Sequence, residues 1–422
     1  MSESPQMSLP KQAGNWADLK AAYRLLDNDR VDPHQIGQTH RQQVYRAMAD
    51  HSRVLLVQDD TDLQAVKIAG GEHVQHSTLA VTPDGSVLGV LQQAWFTRPK
   101  PAKDETRRQR MDRWRASCVW SDAAKTIGHA PNGCRWIHVA DRAADDLAFM
   151  NACVEMGHGF VIRARHDRRV DEATDKLWSR LADASPIGGM TVTVGQQRDD
   201  CGRVTRRQRR AKVELAIATV QLEPPWNHPG NHAPRTVQAI HLREVDPPCD
   251  VEPIDWMLLT SEPVENLQQA CRIVRDYECR WVIEEWHRVL KEGCRLEASQ
   301  LDAIENLQRL AAILSIIAVR MLQLRDLADP QRSPQTAADP QALARTCPPR
   351  WIAIVAALAG RDPQELTPRQ FYLTIAQRGG HPARKCDGRP GWKTLWRGWY
   401  DITQMVRGVE LMQNRSNPTR CG

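Results

Sequence analysis

Two periods of apolar positions alternate along the chain. Trp16, Leu19, Tyr23 and Leu26 recur at helical steps behind Asn15, a residue type that caps helices. A second helix is predicted over residues 34–48. Residues 54–58 (VLLVQ) then form a short apolar run that reads as a buried strand, and it delivers Asp59, followed by Asp60, Thr61 and Asp62. Residues 77–97 read as two strands around the turn Pro83-Asp84-Gly85, and 103–127 as a basic helical segment. A further strand, 135–140 (RWIHVA), ends in Asp141, and DRAADDLAFM opens a helix behind it. Residues 160–162 make another strand, delivering Arg163, Arg165 and His166. The pattern predicts an α/β fold around a mixed sheet with acids at two strand ends.

From 167 to 262 the rhythm changes. Strand-like runs at 190–194, 213–222, 236–243 and 256–260, joined by segments such as PPWNHPGNHAP, predict an inserted all-β subdomain. Its basic run RVTRRQRRAK (203–212) fits a solvated loop or a phosphate contact equally well. Leu307, Leu310, Leu314, Ile317, Met321 and Leu324 mark a long helix buried on one face. The chain thus divides into a helical segment (1–50, with 1–14 expected to be disordered), a first core part (51–166), the insertion (167–262), a second core part (263–328), a linker rich in Pro, Gln and Ala (329–350) and a C-terminal helical region (351–422).

Composition narrows the class. A net charge of +6, with Arg in excess of Lys, suits phosphate contact but is shared by many enzymes. The 11 cysteines show no CxxC spacing, which argues against a disulfide framework or a zinc site and for a cytoplasmic protein. The N-terminus has no secretory pattern, and the most apolar window, 310–319, is too short to cross a bilayer, so no membrane partner is expected.

Residues 277–291 (YECRWVIEEWHRVLK) carry the chemistry. On a helical repeat Tyr277, Arg280, Glu284 and Lys291 fall on one face, with His287 and Arg288 one turn after the acid. A carboxylate among fixed cations fits a site where a metal-bound acid meets a phosphodiester. A solvated helix with ion pairs has the same spacing. Together with Asp59 and Asp141, however, Glu284 completes three acids on rigid elements, the oxygen-rich set that a pair of Mg²⁺ or Mn²⁺ ions requires.

The spacing Tyr277-x2-Arg280-x3-Glu284-x6-Lys291 resembles the Y-(2)-R-(3)-E-(6)-K motif of bacterial insertion-sequence DDE transposases, particularly those of the kanamycin-resistance composite transposon type. KAAYRLLDN, VQDDTDL, VADRAAD, WMLLTSEPVENL, LSIIAVRMLQLR and WKTLWRGW extend the likeness in collinear order over nearly the whole chain. The resemblance implies a ribonuclease-H-like mixed-sheet core with the β insertion and C-terminal dimerisation helices. It further implies cut-and-paste DNA transposition in a homodimer on double-stranded DNA, with a catalytic metal triad of Asp59, Asp141 and Glu284. By position, Trp256 matches a tryptophan that stacks on a flipped base. Tyr277, Arg280 and Lys291 match phosphate contacts, Arg163 and Arg165 match further basic DNA contacts, and Arg288 stands where a relative has lysine. Two departures are visible. The family's basic N-terminal DNA-binding segment is nearly absent ahead of the KAAYR helix, which leaves a truncated regulator acting through mixed dimers as the other reading; and Ala143 replaces an acid.

Overall fold

The structure is a computed structural model, and it describes residues 7–13, 15–63, 68, 72–98, 106, 115–171, 176–195, 197–198, 204–224, 233–249, 251–384, 387 and 389–416. Most of residues 103–114 of the expected 103–127 helical segment lie outside these residues, as do most of PPWNHPGNHAP and the start of the 203–212 basic run, while the remainder of the 103–127 segment forms the helix Cys118–Ile127.

The strands are β1 (Arg53–Asp62), β2 (His73–Val81), β3 (Val87–Thr97), β4 (Arg135–Ala140), β5 (Gly159–Arg163), β6 (Gly188–Val194), β7 (Gln197–Arg198), β8 (Val204–Arg206), β9 (Arg209–Leu222), β10 (Arg235–Glu244) and β11 (Asp255–Thr260). Nine of them form one sheet in the order β3-β2-β1-β4-β5-β11-β10-β9-β6. β1, β4 and β5 run parallel, β2 and β3 form a hairpin beside β1, and β11 pairs antiparallel with β5. The hairpin turns through Gly85 at φ +86°, a backbone state that favours glycine.

The insertion is therefore not a separate β unit. β11, β10, β9 and β6 prolong the core sheet. β5 has an open edge once β4 has paired with its other side, and an antiparallel return strand satisfies that row of backbone groups. β1 is buried from Val54 to Val57, as a strand covered on both faces should be. Leu55, Val57, Ile137, Val139 and Val161 face the helices Leu267–Glu278, Trp281–Arg288 and Ile304–Leu327. Trp120 and Phe149, from helices Cys118–Ile127 and Leu147–Glu155, close much of the other face.

Four further expectations are adjusted. A short helix, Leu9–Gln12, lies in the segment expected to be disordered. The 34–48 helix divides at Gly37 into Pro33–Ile36 and Gln38–Ala49. The expected linker holds two short helices, Pro334–Ala337 and Pro340–Thr346, each with proline in its first turn. Finally, the apolar window widens into Ile304–Leu327, long and apolar enough to cross a membrane, but most of it is buried inside the protein as the central core helix.

That helix ends in an ion cluster. Arg325, 5% exposed, pairs with Glu285 and, at 2.6 Å, with Asp326. Arg332 reaches Asp326 (3.1 Å) and the carbonyl of Gly85 (2.6 Å), and Trp392 of the C-terminal Trp392–Ser416 helix lies over the Arg325 guanidinium. One buried arginine thus ties the Trp281–Arg288 helix to the β2–β3 turn and the C-terminal region. Arg325→Met leaves Glu285 without its cation and Asp326 with Arg332 alone. It should lower unfolding stability by about 3 kcal/mol, read as a shift of the urea midpoint at unchanged slope.

Candidate active site

β1 and β4 are parallel neighbours with Val57 paired to Val139, so Asp59 and Asp141, two residues beyond each, stand side by side where β4 ends; β1 itself continues past Asp59 to Asp62, which corrects the expectation of a strand-end acid there. Asp141 accepts a hydrogen bond from the Ala143 amide (2.8 Å) and starts the helical turn Arg142–Ala144. Glu284 projects from the Trp281–Arg288 helix toward the same pair of strands. Between Glu284 and Asp59 lies Arg280, whose guanidinium is 2.5 Å from Glu284 Oε1 and 3.5 Å from Asp59 Oδ2. Trp281 packs beside it, 5.1 Å from the guanidinium carbon.

Electrostatics confirm that the three acids share one corner. Burial, offset by Arg280 and reinforced by the charges of Asp141 and Glu284, pushes the Asp59 carboxyl up to about 7. Among the described residues no three His, Cys, Asp or Glu side chains converge closely enough to ligate one ion. In this arrangement Arg280 supplies the counter-charge. The donor set is all carboxylate, and its mutual repulsion is of the sign a hard divalent cation relieves, so the residues fit Mg²⁺ or Mn²⁺ chemically.

The cations divide into two groups. Lys291 reaches the end of β1, with its Nζ 2.6 Å from Asp62 O, 3.3 Å from Thr61 Oγ1 and 3.1 Å from Glu297. It does so from a π-helical turn, Val289–Gly293, closed by the Cys294 amide on Val289 O (2.8 Å). Such widened turns are frequent at functional sites, and a sequence reading at 3.6 residues per turn could not see this one. On the other side Arg163 lies 5.6 Å from the Trp256 ring and donates to Asp255 O (3.2 Å), while Trp256 meets Tyr277 edge-on at 5.3 Å. Arg165 and Arg288 are exposed.

Two expected DNA contacts are buried, as is Arg280 at 7% exposure. Tyr277 is 3% exposed and His287 is 6% exposed. Tyr277 shares its helix face with the core residues Ile273 and Val274, and His287 shares one with Ile283 and Leu290. Burial, with Lys291 and His76 adding to it, lowers the His287 pKa to about 3, so the ring is neutral rather than a phosphate-binding cation. Tyr277 instead supports Trp256.

The sequence reading gave no role to Asp145. Its buried carboxylate accepts from the amides of Arg165 (2.7 Å) and His166 (2.9 Å) and pairs with Arg168 (2.7 Å), which fixes the turn that presents Arg165. A second acid four residues after Asp141 was the available signal. In Asp145→Ala the Arg165 and His166 amides should exchange hydrogen at least ~30-fold faster, corresponding to about 2 kcal/mol, as measured by mass spectrometry on the 163–171 peptide. A polar row on the opposite sheet face was missed as well. Asp60 meets His76 (2.6 Å), His76 meets Gln58 (3.1 Å), Gln58 meets His138 (2.5 Å), and His138 meets His158 (2.9 Å).

Residues 132–320 match the model of the transposase DDE domain family, and residues 1–31 match that of the transposase DNA-binding family. The chain carries a DDE transposase domain. The matched span contains Asp141 and Glu284, with Asp59 lying upstream of it. The second match also corrects the expectation of a nearly absent DNA-binding segment. Part of that segment is recognisable at 1–31, which removes the main support for the truncated-regulator reading. Within it, Asn15 caps the helix Trp16–Leu26 by accepting from the Asp18 amide (2.9 Å), and Arg309 of the core helix holds the Leu26 carbonyl at 2.8 Å.

Proposed function

We propose that this DDE transposase moves DNA by cut-and-paste. It frees the 3′ end of the element, turns that 3′-OH on the opposite strand to give a hairpin, reopens the hairpin and joins the end to target DNA. The observation that carries this reading is the grouping of Asp59, Asp141 and Glu284 at adjoining strands and a helix, within a chain matching the transposase DDE domain. The order β3-β2-β1-β4-β5, with β1, β4 and β5 parallel, supports a ribonuclease-H-like core for it.

Asp59, Asp141 and Glu284 would hold the divalent ions. Bound there, such ions supply activation of the attacking oxygen and stabilisation of the leaving one. The chain's own share is positioning and charge. Lys291 at the end of β1, with Arg163 and Arg165 beyond β5, brackets the acids with cations that can grip phosphates on either side of the cut. Arg280, now shared between Asp59 and Glu284, is placed to exchange a carboxylate for a phosphate oxygen. Trp256, backed by Tyr277 and Arg163, offers a face on which an unstacked base can rest. Exposed Leu358, Tyr400 and Val409 in the C-terminal helices suit a homodimer contact.

The test is excision in vitro of DNA bearing the element's inverted repeats, with Mg²⁺ or Mn²⁺ and Asp141→Ala as control. Hairpin-ended product with the unaltered protein and none with the variant supports the reading. Cleavage that persists in the variant, or nicking without hairpins, overturns it.

A further inference from the structure

A cleft of about 290 Å³ opens at the free edge of the sheet, where β3 passes between the helices Gln38–Ala49 and Ile304–Leu327. Its lining is rich in amides and nearly neutral. Gln93 and Gln308 contribute two primary amides, Ser315 a hydroxyl and Trp95 an indole, with Arg41 close by, while Gln92, in register with Thr78 and Gln58, turns to the other face of β3. The one acid, Asp32, is already occupied in capping the Pro33–Ile36 helix through the His34 amide (2.8 Å). Gln93 donates to Ser315 Oγ at 2.9 Å, which fixes the orientation of its amide. Oriented primary amides beside an aromatic plane are the groups that read and stack a nucleobase.

The register ties this cleft to the acids. Asp59 pairs with Ser77 and Ser77 with Gln93, while Thr61 pairs with Gln75 and Gln75 with Trp95. Residues paired in register share a sheet face, so Gln93 and Trp95 lie two strand spacings, about 10 Å, from Asp59 and Thr61. Lys291 contacts Thr61, so a backbone phosphate held there has neighbouring bases within reach of Trp95, about three base rises away. Trp256 lies on the opposite side, on β11, three strands from β1. The two tryptophans therefore flank the acid pair.

We propose that the β3-edge cleft is a second base-binding station, which takes an unpaired nucleobase of the strand being processed, on the side of the cut away from Trp256. The inference rests on the DNA-processing reading of the acid site. It adds to that site a place where strand distortion is captured on both flanks.

The experiment is photo-crosslinking of the full chain to single-stranded and hairpin oligonucleotides carrying 5-iododeoxyuridine, with the adducts mapped by mass spectrometry. Adducts on both the Trp95 and Trp256 peptides are expected. In Gln93→Leu and, separately, in Gln308→Leu, the Trp95 adduct should fall at least fivefold while the Trp256 adduct is kept. Using two variants on different elements guards against one of them failing to fold. Adducts at Trp256 without Trp95, or anywhere but the cleft, overturn the second station and leave the transposase reading standing. Failure of the unaltered chain to bind any of these DNAs overturns both.

Discussion

Glu284→Ala should lower metal-dependent DNA cleavage by at least about 10³-fold, equivalent to about 4 kcal/mol of transition-state stabilisation, while DNA affinity changes less than about threefold. The argument rests on where Glu284 sits. It is the acid that comes from a helix rather than from the sheet, and through Arg280 it is tied to Asp59. Removing it takes away one carboxylate ligand and also frees Arg280, which then leans on Asp59 alone. The cations proposed to grip DNA are elsewhere: Lys291 is anchored on Asp62 O, and Arg163 on Asp255 O. Single-turnover cleavage and a gel-shift titration on the same DNA separate the two quantities. Retained cleavage would remove Glu284 from the site.

The second large effect concerns stability. Asp59 has its folded pKa raised to about 7 from 3.8, with burial the leading cause. For an acid raised in the folded state, the sign is that this carboxyl's contribution to the stability of the metal-free protein is fully present below about pH 4. Stability then declines as pH rises through 7, because the unfolded chain ionises this group more readily. The loss integrates to about 4 kcal/mol. Asp59→Asn should abolish that decline, so the inactive variant melts higher than the native protein at pH 8 and nearly alike at pH 4. Calorimetry at several pH values without divalent ions checks it. A melting-temperature gap between Asp59→Asn and the native protein that does not widen between pH 5 and 8 would show the carboxyl to be better solvated than its surroundings imply. Added Mg²⁺ at pH 8 should restore stability to the native protein and leave Asp59→Asn unmoved, since ion binding to the folded state alone stabilises it.

The strands were legible as short apolar runs, and Asp59 and Asp141 stood out as the first acids after two of them, although β1 continues through Asp59 to Asp62. What period-2 alternation cannot say is which edge a strand joins. The four long strands expected in the insertion occur at β6, β9, β10 and β11, yet their attachment to β5 depends on a free edge set 30 to 100 residues away in sequence. Spacing on a helical wheel likewise marked one face for Tyr277, Arg280, Glu284 and Lys291 without saying where the core lies. Tyr277 and His287 turned inward because Ile273, Val274, Ile283 and Leu290 define the buried stripe around them. Asp145 showed only as a second acid after Asp141, and its role stayed hidden because two of its partners are backbone amides, which carry no sequence signature.

The sequence separation of the site's parts has a consequence for synthesis. Asp59 and Arg280 are 221 residues apart, yet they meet across one corner of the sheet. A growing chain completes β1, β2, β3 and β4 well before the Glu284 helix leaves the ribosome. From Asp141 to Glu284, at roughly 5–20 residues per second, translation takes on the order of 7 to 30 s. Throughout that interval the nascent protein displays two of its three acids and lacks the third. The acid set is therefore completed only late in synthesis, and a chain released before Glu284 holds the two sheet acids without the helix that closes the corner over them.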